Sequence, residues 1–375
     1  MMNDSWGATL VTGGQISIDL AAVAANYTDL VARAAPAEVA AVVKADAYGL
    51  GLEPVCTTLR DAGCRHFFVA DLDEALELRR VLSESAIYVL GGLWAGTEAT
   101  ALTAGLTPVL NSLGQLERWR DLARTQRRRL PAVIQVDTGM SRLGLSPDQV
   151  DRLAQAYDVF DHLDIRYVMS HLACADSPSS PVNHIQEAAF TAALRKLPPT
   201  PVSFANSAAT LTHGAAAGDL MRCGLALYGG AAVVGEQPLR TVFCLSARVI
   251  QMRTIAAGQG VGYGHDFVAA ERRRIATVAI GYADGLPRSL SGKGAMVFAG
   301  ERLPIVGRVS MDTAMVDATA LPPGALQPGD LLEVIGPHQS LEALAEAAGT
   351  ISYEILARLG RRFRRFYSPS RTATA

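Results

Sequence analysis

A chain of 375 residues, 49% of them hydrophobic, can bury a large core and on the usual size scale divides into two domains. Its 34 Lys and Arg balance 36 Asp and Glu, so the formal charge of -2 sets up no field to hold nucleic acid or an anionic membrane, and a small molecule is the expected partner. The cysteines Cys56, Cys64, Cys174, Cys223 and Cys244 are scattered and form no C-x-x-C pair for a metal or redox centre, which fits reduced thiols in the cytoplasm.

In chain order, the opening MMNDSWGATLVTGG lacks the basic head and apolar run of a signal peptide. The longest apolar stretch, around Cys223 to Gly235, is too short to span a bilayer. From the start of the chain to about residue 235 one pattern repeats: a short β-branched apolar run, a polar turn, then an amphipathic segment long enough for a helix. The predicted strands are Val39–Val43, His66–Ala70, Ile87–Leu90, Thr107–Leu110, Ala132–Val136, Ile165–Ser170, Val202–Phe204 and Leu225–Tyr228. Eight such βα units are the number that closes a (β/α)8 TIM-like barrel. Asp71 with Glu74 predicts an N-cap and its reciprocal partner, and Ser146-Pro147 predicts a cap followed by proline at the first helical position.

After residue 235 the texture changes to short alternating strands broken by glycine: Thr241–Arg253, Arg274–Ile280, Ala295–Phe298, Leu303–Val309 and Leu331–Ile335. The expectation is an α/β chain with a barrel domain over 1–235 and an all-β domain over 236–375, with an N-terminal strand free to join the latter. The basic run Arg361 to Phe366 reads as a cationic helix end and solvated surface.

The working residues of such a barrel lie at the C-terminal ends of its strands. There the chain offers Lys44 after the first run, Asp137 to Arg142 after the fifth, His171 after the sixth, Asn206-Ser207 after the seventh, and Arg222 just before the eighth. A lysine at such a place is either a snorkelling surface residue or, desolvated, a neutral amine able to attack an aldehyde; the residue alone leaves both open. Asn206 and Ser207 opening a helix form an N-cap or, with Gly224, Gly229 and Gly230 near the last strand, a phosphate corner. His184, His213 and His265 have no matching ligand partners, so no metal is expected.

Together these stretches carry a resemblance. AVVKADAYGLG at Ala41–Gly51 closely resembles the pyridoxal-phosphate lysine motif of bacterial alanine racemases. VDTGMSRLG, SHLACAD, NSAAT, MRCGLALYG, VGYGHDF, GYADGLPR, GRVSMD and SYE follow in family order, through Glu354. The resemblance implies a fold-type III pyridoxal 5'-phosphate enzyme, a cytoplasmic homodimer with sites between subunits, that interconverts L- and D-alanine, either to supply D-alanine for the cell wall or in catabolism. Carried over by position, Lys44 would hold the cofactor as a Schiff base, Tyr48, Ser207, Gly224, Leu225 and Tyr353 its phosphate, with Asn206 alongside. Arg222 would face the pyridine nitrogen, with His171 beside the ring. Arg142 and the Met311 backbone would hold the substrate carboxylate, and Tyr263 of the other subunit would be the second base. Two groups on opposite faces suit a reaction that removes a proton from one side and returns one to the other. Arg142 and His171 are the candidates for the cationic support that a tyrosine base needs.

The chain departs from the pattern at Gln135, where many relatives carry a lysine seven residues before the arginine, at Leu50 for histidine and at Ser310 for cysteine. A neutral amide at 135 can accept one hydrogen bond from Arg142 but adds no anion. A serine or broad-spectrum racemase of the same fold and a non-catalytic cofactor carrier are the competing readings. A class I aldolase-type barrel would also use a lysine imine, without a pyridoxal absorbance band.

Overall fold

The computed structural model describes residues 13–156, 158–213, 218–235 and 238–368. After an opening strand β1 (Gly14–Asp19), eight parallel strands follow: β2 (Glu38–Val42), β3 (His66–Val69), β4 (Ala86–Val89), β5 (Thr107–Leu110), β6 (Leu130–Gln135), β7 (Leu163–Met169), β8 (Val202–Ser203) and β9 (Leu220–Cys223). They pair in the order β8-β7-β6-β5-β4-β3-β2-β9, and a parallel bridge from Asn206 to Arg222 joins the two ends. Helices alternate with the strands and shield their outer faces, so strands such as β5 are buried throughout.

The eighth strand differs from the sequence expectation. Leu225–Tyr228 is a 3₁₀ turn, closed by Gly229 in the left-handed region at φ 76°, and the strand is Leu220–Cys223. The buried arginine inside that strand hides its apolar character in the sequence. Helix starts are mostly as read: Ser146 and Gln149 form a full capping box with Pro147 next. At Asp71 only half of the box forms. Asp71 caps the Glu74 N–H at 3.0 Å, but the Glu74 carboxylate goes elsewhere.

The chain separates into two compact units, Ala21–Thr241 and a second that joins β1 to everything from Val242 on. In the second, β10 (Phe243–Ile255), β11 (Gly260–Val261), β12 (Phe267–Val268), β13 (Arg273–Val278), β14 (Ala295–Phe298), β15 (Glu301–Pro304), β16 (Ala314–Asp317), β17 (Leu331–Ile335) and β18 (Arg364–Ser368) follow one another. The main sheet runs β15-β14-β17-β10-β1-β18. β1 sits between antiparallel β10 and parallel β18, with Ile16 opposite Leu245 on one side and Arg365 on the other. The basic tail is therefore an edge strand rather than a helix end. This unit also carries two short helices, Leu341–Ala348 and Ser352–Ala357, that its glycine-broken texture conceals.

Candidate active site

Lys44 stands just past the last rung of the β2–β3 ladder, where the Val43 N–H donates to the Phe68 carbonyl at 2.9 Å. The four residues after it turn in the left-handed sense: Ala45, Asp46, Ala47 and Tyr48 have φ of 53°, 56°, 52° and 57°. None is glycine, and each non-glycine residue in that region costs roughly 1–2 kcal/mol. The turn is held by hydrogen bonds on every side. Ala47 N–H donates to Val43, Gly49 to Ala45 and Gly51 to Asp46, the Leu52 N–H donates to the Asp46 carboxylate at 2.7 Å, and the Ala45 N–H donates to Glu74 Oε1 at 2.6 Å. Burial, and then the charge of Arg142, hold the Lys44 amine below the usual lysine range, while Glu74 pulls it the other way.

Arg222, in β9, is only 3% exposed. Its Nη1 donates to the Ser203 carbonyl (2.7 Å) and hydroxyl (2.8 Å), and its Nη2 to the Ser170 carbonyl (2.6 Å) and to His171 Nδ1 (3.2 Å). Burial lowers the guanidinium to about 10, so it stays charged at neutral pH. Burial, then Arg222, Arg142 and Lys44, push His171 down to about 3, so this ring is neutral. It therefore offers a tyrosine base no cationic support, and that expectation is withdrawn.

Ser207 is buried, and its hydroxyl oxygen accepts from the Gly224 N–H at 2.9 Å and the Ala226 N–H at 3.4 Å. Two amides of the turn that begins at Leu225 thus aim at one point. Tyr48, packed 4.6 Å from the Tyr228 ring, lies over the same corner: a Cβ built on Gly224 would fall 2.5 Å from the Tyr48 hydroxyl. Asn206 caps the following helix through the Ala209 N–H at 3.1 Å.

Asp137 to Arg142 form a tight loop in which one Asp137 oxygen accepts from the amides of Gly139, Met140 and Ser141 at 2.9–3.1 Å. Gln135 is buried beneath it, and its amide donates to the Leu143 carbonyl at 3.1 Å. It braces the loop, not the guanidinium. Among the described residues Arg142 is exposed and makes no hydrogen bond or ion pair.

The remaining expected residues belong to the other unit. Tyr263 opens a short turn between β11 and β12, flanked by Gly262 at φ 70° and Gly264 at φ 72°, and is 71% exposed. Met311 is 53% exposed; its carbonyl accepts from the Ala283 N–H at 3.0 Å. The next residue, Asp312, pairs with Arg362 at 2.6 Å, and the same guanidinium grips buried Asp284 through two bonds of 2.7 and 2.8 Å. Tyr353 is exposed in the first turn of the Ser352–Ala357 helix.

Sequence reasoning missed the supporting roles of three residues. Gln186, buried on the helix after β7, accepts the Ala173 N–H at 2.8 Å and donates to Thr138 Oγ1 (3.2 Å) and the His171 carbonyl (3.0 Å). A glutamine inside a helix gives no sequence signal. Asp137 two residues before a glycine does signal a turn. Glu74 was read as a cap alone.

The family model for the alanine racemase N-terminal domain matches residues 18–232, and that for the C-terminal domain matches residues 242–367. A catabolic alanine racemase of Agrobacterium fabrum is 50% identical, covering 96% of this chain and 95% of that protein. An alanine racemase of Brucella abortus is 49% identical, covering 96% and 94%. Among solved structures, the alanine racemase of Bartonella henselae with covalently bound pyridoxal phosphate superposes with a TM-score of 0.92 at 43% identity, covering 95% of this chain and 99% of that one. The biosynthetic alanine racemase of Pseudomonas aeruginosa gives 0.89 at 34%, covering 96% and 100%.

Proposed function

The chain belongs to the alanine racemase family, and on that premise we propose that it interconverts L- and D-alanine with pyridoxal phosphate held on Lys44. The observation that carries the proposal is the convergence, at one barrel mouth, of a desolvated lysine, a buried arginine and two amides aimed at a buried hydroxyl. These groups fit the cofactor. Arg222 spends both terminal nitrogens on the protein and keeps Nε unspent, a donor for a ring nitrogen that has only a lone pair to offer. Ser207, Gly224, Leu225 and Tyr48 would hold the phosphate, with Asn206 setting the helix that carries Ser207 and Tyr353 closing the corner. Gly224 fits because any side chain there would strike the Tyr48 hydroxyl.

When bound, pyridoxal phosphate acidifies the α-hydrogen of an attached amino acid by letting the electron pair spread into its ring. Arg222 cannot readily give up its proton, so it leaves the ring nitrogen unprotonated and favours return of a proton to the α-carbon. Lys44 Nζ takes or gives the proton on one face. The Tyr263 hydroxyl does so on the other. Arg142 and the Met311 amide hold the substrate carboxylate, and Gln135 acts only through the loop that presents Arg142.

We read the enzyme as a cytoplasmic homodimer in which Tyr263 and Met311 serve the partner's Lys44. The exposure of both in the single chain supports this reading, as do five free cysteines. No helix among the described residues is long and apolar enough to cross a membrane. Circular dichroism and α-hydrogen exchange with a panel of L- and D-amino acids test the assignment. Alanine should be the fastest substrate, and robust turnover of serine or a basic amino acid with little of alanine would overturn it.

A further inference from the structure

We infer that Glu74 is a positioning residue for Lys44: its carboxylate clamps the left-handed turn that aims the lysine into the barrel mouth. The inference rests on the reading of Lys44 as the cofactor lysine, but its observations are independent of that reading. Glu74 sits at the third position of the helix Leu72–Val81, where a carboxylate ordinarily turns back to the cap residue's own N–H. Here Glu74 Oε2 accepts the Ala70 N–H at 2.7 Å, one residue upstream of the cap, and Oε1 accepts the Ala45 N–H at 2.6 Å.

These two amides lie on neighbouring strand ends. The backbone ladder between β2 and β3 ends at Val43 and Phe68, and both chains then diverge. Glu74 supplies a further rung made from a side chain, joining Ala45 to Ala70 across the gap. Ala45 is the first of the four left-handed residues, so its amide fixes where the turn begins and hence the direction in which Lys44 leaves the strand. A carboxylate can serve both amides because both its oxygens accept. A glutamine has one acceptor and would face the other amide with a donor.

The test compares holoenzymes of the parent, Glu74→Gln, Glu74→Asp and Asp71→Ala. Aspartate keeps the charge and folds readily in a first helical turn, but is one methylene too short to reach both amides. Peptide-level hydrogen exchange is read over residues 41–52 and over 71–82, with kcat and KM for alanine. Both Glu74 variants should exchange at least tenfold faster over 41–52 and lose at least tenfold in kcat with KM within twofold. Asp71→Ala should speed exchange only over 71–82 and leave kcat unchanged. Unchanged protection of 41–52 in the Glu74 variants would overturn the inference, as would equal loosening of that segment by Asp71→Ala. Borohydride reduction of the parent and mapping of the labelled lysine separates the two ideas: cofactor fixed elsewhere than Lys44 refutes the function while leaving the exchange result to stand.

Discussion

Arg222 Nη2 donates to His171 Nδ1 across 3.2 Å, and because a guanidinium has no lone pair to give, this bond settles the histidine's tautomer: Nδ1 accepts and the hydrogen rides on Nε2. His171 titrates near 3 in the folded chain and near 6.5 when unfolded. The unfolded chain therefore takes up this proton first, and stability is lost as pH falls from about 6.5 toward 3, by up to about 1.4 kcal/mol per unit. Denaturant unfolding of cofactor-free protein at pH 6.5 and 4.5 measures it. His171→Gln, which can still accept from Arg222, should lose roughly 2 kcal/mol less than the parent over that interval. Equal losses would show that His171 is not the group responsible.

Tyr263→Phe should lower kcat by about 10² to 10⁴, the usual contribution of a positioned proton donor, while the cofactor's visible band survives. Mixing Lys44→Ala with Tyr263→Phe chains after denaturation and refolding discriminates further. If each site takes its lysine and tyrosine from different chains, half the dimers carry one intact site and activity returns to about a quarter of the parent's. A mixture that stays inactive places both residues in one chain.

Arg142 lacks a protein counter-charge among the described residues and stands close enough to Lys44 to lower that amine. Arg142→Ala should therefore raise KM for alanine at least tenfold, the scale of a lost charge-assisted hydrogen bond. It should also shift the amine of Lys44 upward in cofactor-free protein. The pH dependence of Lys44 acylation, read by mass spectrometry, gives the direction, and a downward shift would contradict the assignment.

Gly224→Ala should weaken pyridoxal phosphate binding at least tenfold by equilibrium dialysis. The added methyl would sit 2.5 Å from the Tyr48 hydroxyl and 3.1 Å from Tyr48 Cζ, so the ring must move. Overpacking of this kind costs about 1–3 kcal/mol. Gly114→Ala, in the helix Leu113–Gln126 where a Cβ meets only Arg118 Nη1 at 3.7 Å, is the comparison and should leave the cofactor affinity as it was.

The barrel was legible because buried parallel strands read as apolar runs, and β5 appears at its expected residues. The eighth strand was not. Its arginine faces a polar network that no local pattern shows, and the more apolar LALY beside it curls between two glycines. β18 was hidden for a similar reason: a strand held through its backbone to β1 can carry two consecutive arginines. At the site, Lys44 and its partners followed from motif resemblance. The left-handed turn did not, since Ala-Asp-Ala-Tyr has no glycine and only Asp46 tolerates positive φ readily, and one of the bonds that hold it comes from Glu74, twenty-nine residues downstream of Ala45.

The central place of β1 in its sheet has a consequence for biosynthesis. Its partners β10 and β18 are separated from it by the whole barrel, so during translation the first strand emerges while the last is still hundreds of codons away. A nascent chain thus carries a strand with two bare edges until β10 emerges and with one until β18 follows, a state that invites pairing with other chains. Fragments ending near Thr241 inherit that state permanently. A circular permutant beginning at Ala21 and carrying β1 behind β18 would deliver the strand only once its partners exist, and should yield more soluble protein at high expression.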